Sequence, residues 1–235
     1  MVTATSIDLP KAYCEVCEDY IPSGTCWKHP HQNTKWVTNS VVEFVTPEVR
    51  WVVFDVETER LFSECGGRER IEKENKWHEL GLTVFGVWDS KDNRPYIYDK
   101  HTLSEGISHL ESADLAVSFN GNRFDLLVLK GLLGRWIELK NNYDIHKEIK
   151  SAGAPWKGSG LGATSEKTIG RGKSGNGETA PALARQGRWG QLVTYNIDDL
   201  YLTKELMEHI RKYGWVVGAD GQTYKLEVPE WFRTS

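Results

Sequence analysis

The sequence predicts an α/β fold on a mixed sheet, three antiparallel strands followed by parallel strands, flanked by helices. Three observations carry this. β-rich runs come first, helix and strand then alternate, and a long amphipathic segment follows near the C-terminus. The early runs are "RWVVFDVE" (50–57), "LGLTVFGVWD" (80–89) and "PYIYD" (95–99), with the turn-forming "SKDNR" between the last two. "TLSEGISHLESA" reads as a helix, "DLAVSFNG" as a strand and "RFDLLVLKGLLG" as a helix stopped by Gly134. A strand-like "NNYDIH" and a helical "KEIKSA" follow. "RWGQLVTYNIDDLYLTKELMEHIRKYG" (188–214) is the clearest helix, and "WVVGADGQTYKLEV" reads as a hairpin around "ADGQ". The charged insertion at 59–80 shows no readable period, and Cys65 within it reads as a lone thiol.

The chain has 235 residues, 39% of them hydrophobic and ten of them Trp, enough for one sizeable core and a small appendage. Two regions are expected, 1–40 and 41–235. A formal charge of −4 argues against a generally basic nucleic-acid coat, so any phosphate-binding surface has to be local. One candidate surface exists. From Lys140 to Arg188 there are nine Lys or Arg against four Asp or Glu, within a Gly-rich stretch that would otherwise read as a surface loop with a short helix. No apolar run approaches the roughly 18 residues of a membrane span, and the N-terminus lacks a basic region followed by an apolar stretch, so no membrane partner and a cytoplasmic location are expected.

The N-terminal region carries Cys14-x2-Cys17 and Cys26-x2-His29, four soft or borderline ligands in two knuckle-like pairs. Tetrahedral Zn²⁺ takes such a set, and a module of about forty residues needs a staple of this kind. His31 rivals His29 for the fourth position. The site is expected to be structural, docking nucleic acid or a partner protein.

Asp55 and Glu57 are unusual in a strand this apolar. Alternation puts them on one face, about 7 Å apart at Cα. A bare carboxylate at the end of a buried strand is costly unless compensated, by a divalent cation or, less interestingly, by an Arg or backbone amides. With 12 Asp and 21 Glu in the chain, about one Asp-x-Glu arises by chance, so context decides. Asp125 has an ordinary alternative role at a helix start, complementing the dipole. In the long helix the apolar stripe steps 192, 195, 199, 202, 206, and Asp199 stands where a Leu belongs, one turn after Tyr195. Asp198 falls on the polar face.

"FDVET", "FNGNRFD" and "YNIDD" stand in the order and approximate spacing of the three motifs of the DEDD 3′ to 5′ exonucleases. The sequence resembles that family over roughly residues 50–212, and the Tyr four residues before the last Asp matches its DEDDy branch. More narrowly it is similar to exonuclease domains found alone or fused to helicases, which share the "GG" after the first motif and "GSGL" and "KSGNG" before the third. The resemblance implies an RNase H-like fold and a two-metal-ion nuclease. Asp55, Glu57, Asp125 and Asp199 would then hold Mg²⁺ or Mn²⁺, with Tyr195 orienting or deprotonating water. Thr58, Asn120, Lys157, Lys167, Arg171 and Lys173 are the expected substrate contacts. The expected substrate is a single-stranded 3′ end, and a helicase or replication or repair protein is the expected partner. Two rival readings are a catalytically idle nucleic-acid-binding adaptor and a structure-selective endonuclease on the same fold.

Overall fold

A computed structural model describes residues 49–155, 158–173, 175 and 178–234, and the backbone of three strands nearer the N-terminus. The chain divides into two units, Met1–Glu48 and Val49–Thr234. Within the first, β1 (Lys11–Cys14), β2 (Asp19–Ile21) and β3 (Thr34–Val37) pair antiparallel in the order β2-β1-β3. At three or four residues each, these strands are too short to leave a readable period-two pattern. Cys14 closes β1 in register with Asp19 and Thr34. Cys17, Cys26, His29 and His31 lie outside the described residues.

The second unit is built on a five-stranded sheet of β4 (Trp51–Glu57), β5 (Val84–Asp89), β6 (Arg94–Tyr98), β7 (Leu115–Ser118) and β8 (Asn142–Asp144). Its order is β6-β5-β4-β7-β8, with β4, β5 and β6 antiparallel and β7 and β8 running parallel to β4. This is the mixed sheet expected from the sequence. Its helices are α1 (Arg68–Glu74), α2 (Leu103–Ser112), α3 (Asp125–Leu133), α4 (Ile145–Ser151), α5 (Leu161–Ile169), α6 (Thr179–Arg185) and α7 (Trp189–Tyr213). A small hairpin, β9 (Trp215–Val217) and β10 (Thr223–Lys225), follows Gly214, which ends α7 at φ +74°. Among the described residues no helix is long and apolar enough to cross a membrane.

Alternation along β4 sorts the core. Val52, Phe54 and Val56 pack with Ile107, Leu110, Val128 and Leu129, from α2 and α3. Trp51 and Val53 face the other way, into a cluster with Leu200, Leu206, Met207 and Ile210 of α7. Each such side chain contributes on the order of 1.5–3 kcal/mol on burial. Asp55 and Glu57 continue the Trp51–Val53 row, so the sheet delivers them to the α7 face.

Two stretches are more ordered than their composition predicts. Segment 59–80 folds as a 3₁₀ turn (Phe62–Cys65), α1 and a second 3₁₀ turn (Trp77–Leu80), with Cys65, Ile71, Trp77 and Leu80 buried. The basic Gly-rich stretch contains α5 and α6 rather than one short helix. Helix α4 also starts earlier than its sequence suggests, at Ile145, because the Asp144 side chain caps it by accepting from Lys147 N.

Candidate active site

Carboxylate oxygens of Asp55, Glu57 and Asp199 lie within 4.8 Å of one another. The first two come from the end of β4 and the third from the buried face of α7, where Asp199 is 1% exposed. Asp198, next in sequence, keeps 45% of its side chain in solvent, as its polar-face position requires. Tyr195 is buried one turn earlier.

Lys173 enters this group. Its Nζ sits 2.6 Å from Asp199 Oδ2 and 4.8 Å from the Tyr195 ring centroid, and the ammonium donates a hydrogen bond to the phenol. One cation does not balance three carboxylates. Burial pushes the Asp55 carboxyl well above its usual range, with Glu57, Asp125 and Asp199 adding to the push. Burial raises Glu57 to about 8, Lys173 opposing and Asp199 and Asp125 reinforcing. Asp199 is raised for the same first reason, against the pull of Lys173. Asp199 Oδ1 is buried and accepts no hydrogen bond among the described residues. An under-neutralised set of hard oxygen donors of this kind could hold a divalent metal ion.

Asp125 is placed differently. Parallel pairing of β4 with β7 covers only residues 51–53 against 115–117, so β4 outruns its neighbour. Asp125 Oδ1 accepts from the amide of Val56 at 2.7 Å, beyond the end of that ladder. Burial lifts its carboxyl to about 7, the Val56 hydrogen bond pulling it down and Asp144 pushing it up. It therefore clasps strand to helix at the margin of the acidic trio.

Sequence reasoning missed Asn196. It is fully buried, and its Nδ2 donates to Asp55 Oδ2 at 2.8 Å. The buried face of α7 is wider than the stripe read from Leu192, Tyr195, Leu202 and Leu206, and it includes Asn196, Leu200 and Thr203. Spacing of 196 to 199, 200 and 203 could have signalled this. Gly86 makes room for it. Gly86 pairs with Asp55 in register, and a Cβ there would collide with Asn196 Oδ1 and come within 2.7 Å of Leu200.

A cleft of about 590 Å³ opens beside Asp55, lined in part by Asn120 and Lys173. Asn120 adopts φ +69°, and its amide donates to Asp144 Oδ1. Other expected substrate contacts lie elsewhere. Thr58 is buried and its hydroxyl donates to Arg60 O. Arg171 pairs with Glu205 at 2.7 Å on the outer side of α7. Lys167 is exposed on the last turn of α5, and Lys157 lies outside the described residues.

A mixed sheet with two acids on its central strand and a third on a helix laid across it defines a class, and comparison with known proteins agrees. Residues 71–211 match the family model described as the RNase_H superfamily, and the chain belongs to that superfamily. Its fold is similar to a structure of the family B DNA polymerase from the hyperthermophilic archaeon Pyrobaculum calidifontis, with a TM-score of 0.54 and 17% sequence identity. That likeness covers 88% of this chain and 29% of the polymerase chain. No curated protein matches the sequence.

Proposed function

We propose that the chain is a metal-dependent 3′ to 5′ exonuclease of the DEDDy type, hydrolysing nucleic-acid phosphodiester bonds. The observation that carries this reading is the acidic trio Asp55, Glu57 and Asp199 beside a buried Tyr195, brought together from the first and third motifs, with Asp125 of the second motif at the margin. Asp55, Glu57, Asp199 and, at the margin, Asp125 would hold two Mg²⁺ or Mn²⁺ ions. Bound there, such ions supply an activated water and counter-charge for the leaving 3′ oxygen.

The chain's own residues do the rest. Burial and the Asp199 charge raise the Tyr195 phenol above its ordinary value, so it stays protonated near neutrality and orients water by hydrogen bonding rather than acting as a base. Asn196 fixes the Asp55 carboxylate. Lys173 lies close enough to the acids to meet a phosphate oxygen arriving among them, which otherwise faces only negative charge. Cys14, Cys17, Cys26 and His29, or His31 in its place, would be the ligands of a separate structural zinc ion in the first forty residues.

Incubating the protein with 5′-labelled single- and double-stranded DNA and RNA, with Mg²⁺ or Mn²⁺, tests the reading. A ladder shortening from the 3′ end supports it. Cleavage of circular or 3′-blocked strands would make the protein an endonuclease, and binding without cleavage would make it an adaptor.

A further inference from the structure

Segment 59–80 carries a positive charge to the cleft that holds Asp55. Arg68, the first residue of α1, lines that cleft together with Asn120 and Arg123, while Ser159, Gly160 and Lys173 line it from the Gly-rich stretch. Gly66 and Gly67, at φ +79° and +94°, make the turn that aims α1, a conformation L residues rarely adopt.

The segment is packed firmly. Ile71 is fully buried, and the Phe62 ring meets Trp77 and Phe124 at centroid distances of 5.9 and 5.8 Å. Phe124 immediately precedes Asp125, so the segment rests on the same helix start that supplies the second motif. The Arg68 guanidinium is held in turn. Nε pairs with Glu72 at 2.7 Å, Nη2 donates to Arg123 O at 3.4 Å, and the group lies 5.3 Å from the Phe62 centroid.

We infer that segment 59–80 is a substrate-binding wall of the cleft and that Arg68 is its phosphate contact, engaging the backbone of a single nucleic-acid strand next to the acidic trio. The inference rests on the nuclease reading. An acidic site repels a polyanion unless cations flank it, and a planar guanidinium anchored through two of its nitrogens is suited to phosphate oxygens. About 590 Å³ is the scale of a site for one small ligand, room for a nucleotide or two beside Asp55.

The test is fluorescence anisotropy of a dye-labelled single-stranded oligonucleotide over a salt series, with Ca²⁺ in place of the catalytic ion. Wild type, Arg68→Ala, Glu72→Gln and Arg94→Ala are compared, each checked by its melting temperature. Arg68→Ala should weaken binding about 3- to 10-fold and flatten the slope of log affinity against log salt by about 0.7, one phosphate contact on a single strand. Glu72→Gln, which removes the same ion pair but keeps the guanidinium, should bind at least as tightly as wild type. Arg94→Ala, whose side chain is exposed and bonded to Tyr96 OH, should bind as wild type. An unchanged salt slope in Arg68→Ala, or equal weakening in Glu72→Gln, overturns the assignment and leaves the nuclease reading standing. Wild type that binds no oligonucleotide overturns both.

Discussion

Raising the pH of the metal-free protein from about 6.5 to about 8 should lower its melting temperature, the reverse of what ion-paired carboxylates produce. Glu57 is lifted by burial to about 8 and Asp125 to about 7, each from an ordinary value near 4. In this window the folded chain therefore holds protons that the unfolded chain has released, and stability falls as pH rises through the folded values. Each pH unit over which one extra proton is retained is worth ~1.4 kcal/mol. Glu57 then loses about 2 kcal/mol across the window and Asp125 about 1 kcal/mol. Asp55 and Asp199 are raised too and act with the same sign. Lys173, raised by the same carboxylates, stays charged throughout. Burial lowers His146 and His209, so the cost of folding around them appears only below about 6.5 and does not interfere. The summed loss of about 2–3 kcal/mol corresponds to a drop of about 5–10 °C for a chain of this size. Differential scanning calorimetry in chelator reads it directly, and Mg²⁺ or Mn²⁺ should abolish the drop by replacing the protons. A melting temperature that is flat or rising over this window in chelator would refute the account of the site as desolvated and under-compensated.

Asp199→Ala should remove most nuclease activity and Asp198→Ala little, since only the first is buried in the acidic group; a product ladder lost with Asp198→Ala alone would show the α7 face assignment to be wrong. Tyr195→Phe should slow turnover about 10- to 1,000-fold with metal and strand affinity nearly intact, read by single-turnover kinetics; an unchanged rate with a lower melting temperature would make it a core tyrosine only. Gly86→Ala should cost about 1–3 kcal/mol by forcing Asn196 and Leu200 aside, and lower activity along with it; chemical denaturation with an unchanged midpoint would refute the packing argument. Elemental analysis of the purified, dialysed protein should find about one zinc per chain although weakly held Mg²⁺ or Mn²⁺ is gone, and Cys17→Ser should lose it; zinc-free wild type would end the knuckle assignment.

The sheet was legible because β4 and β5 alternate or run apolar between clear turns, and α7 because its stripe persists for about four turns, from Leu192 to Leu206. The acidic trio was legible from the same two patterns, as interruptions of them. Segment 59–80 was not, because 3₁₀ turns with period 3 flank a short α-helix with period 3.6, and no single period spans Phe62, Cys65, Ile71, Trp77 and Leu80. Lys173 showed in sequence as a cation of the basic stretch and an expected substrate contact, not as a partner of the acids. That it pairs with Asp199, 26 residues later, is a tertiary fact. Asn196 was hidden because the stripe was traced through 192, 195, 199, 202 and 206 alone, whereas the buried face is wide enough to take in Asn196, Leu200 and Thr203.

The row Trp51, Val53, Asp55, Glu57 bears on how the sheet assembles as well as on what it binds. Side chains alternate with a period of two, so a slip of one residue in β4 would turn both acids toward Phe85, Ile107 and Leu129. A slip of two would carry Asp55 to the place of Val53, among Leu115, Val117 and Met207. Either misalignment strands a carboxylate in hydrocarbon with neither Lys173 nor Asn196 in reach, at a cost of several kcal/mol. The native alignment avoids both, leaving the two acids at the open end of the strand. The groups that burden the finished protein thus forbid its nearest misfolded alternatives, and a chain with valines in their place would gain stability while losing the device that selects a single pairing.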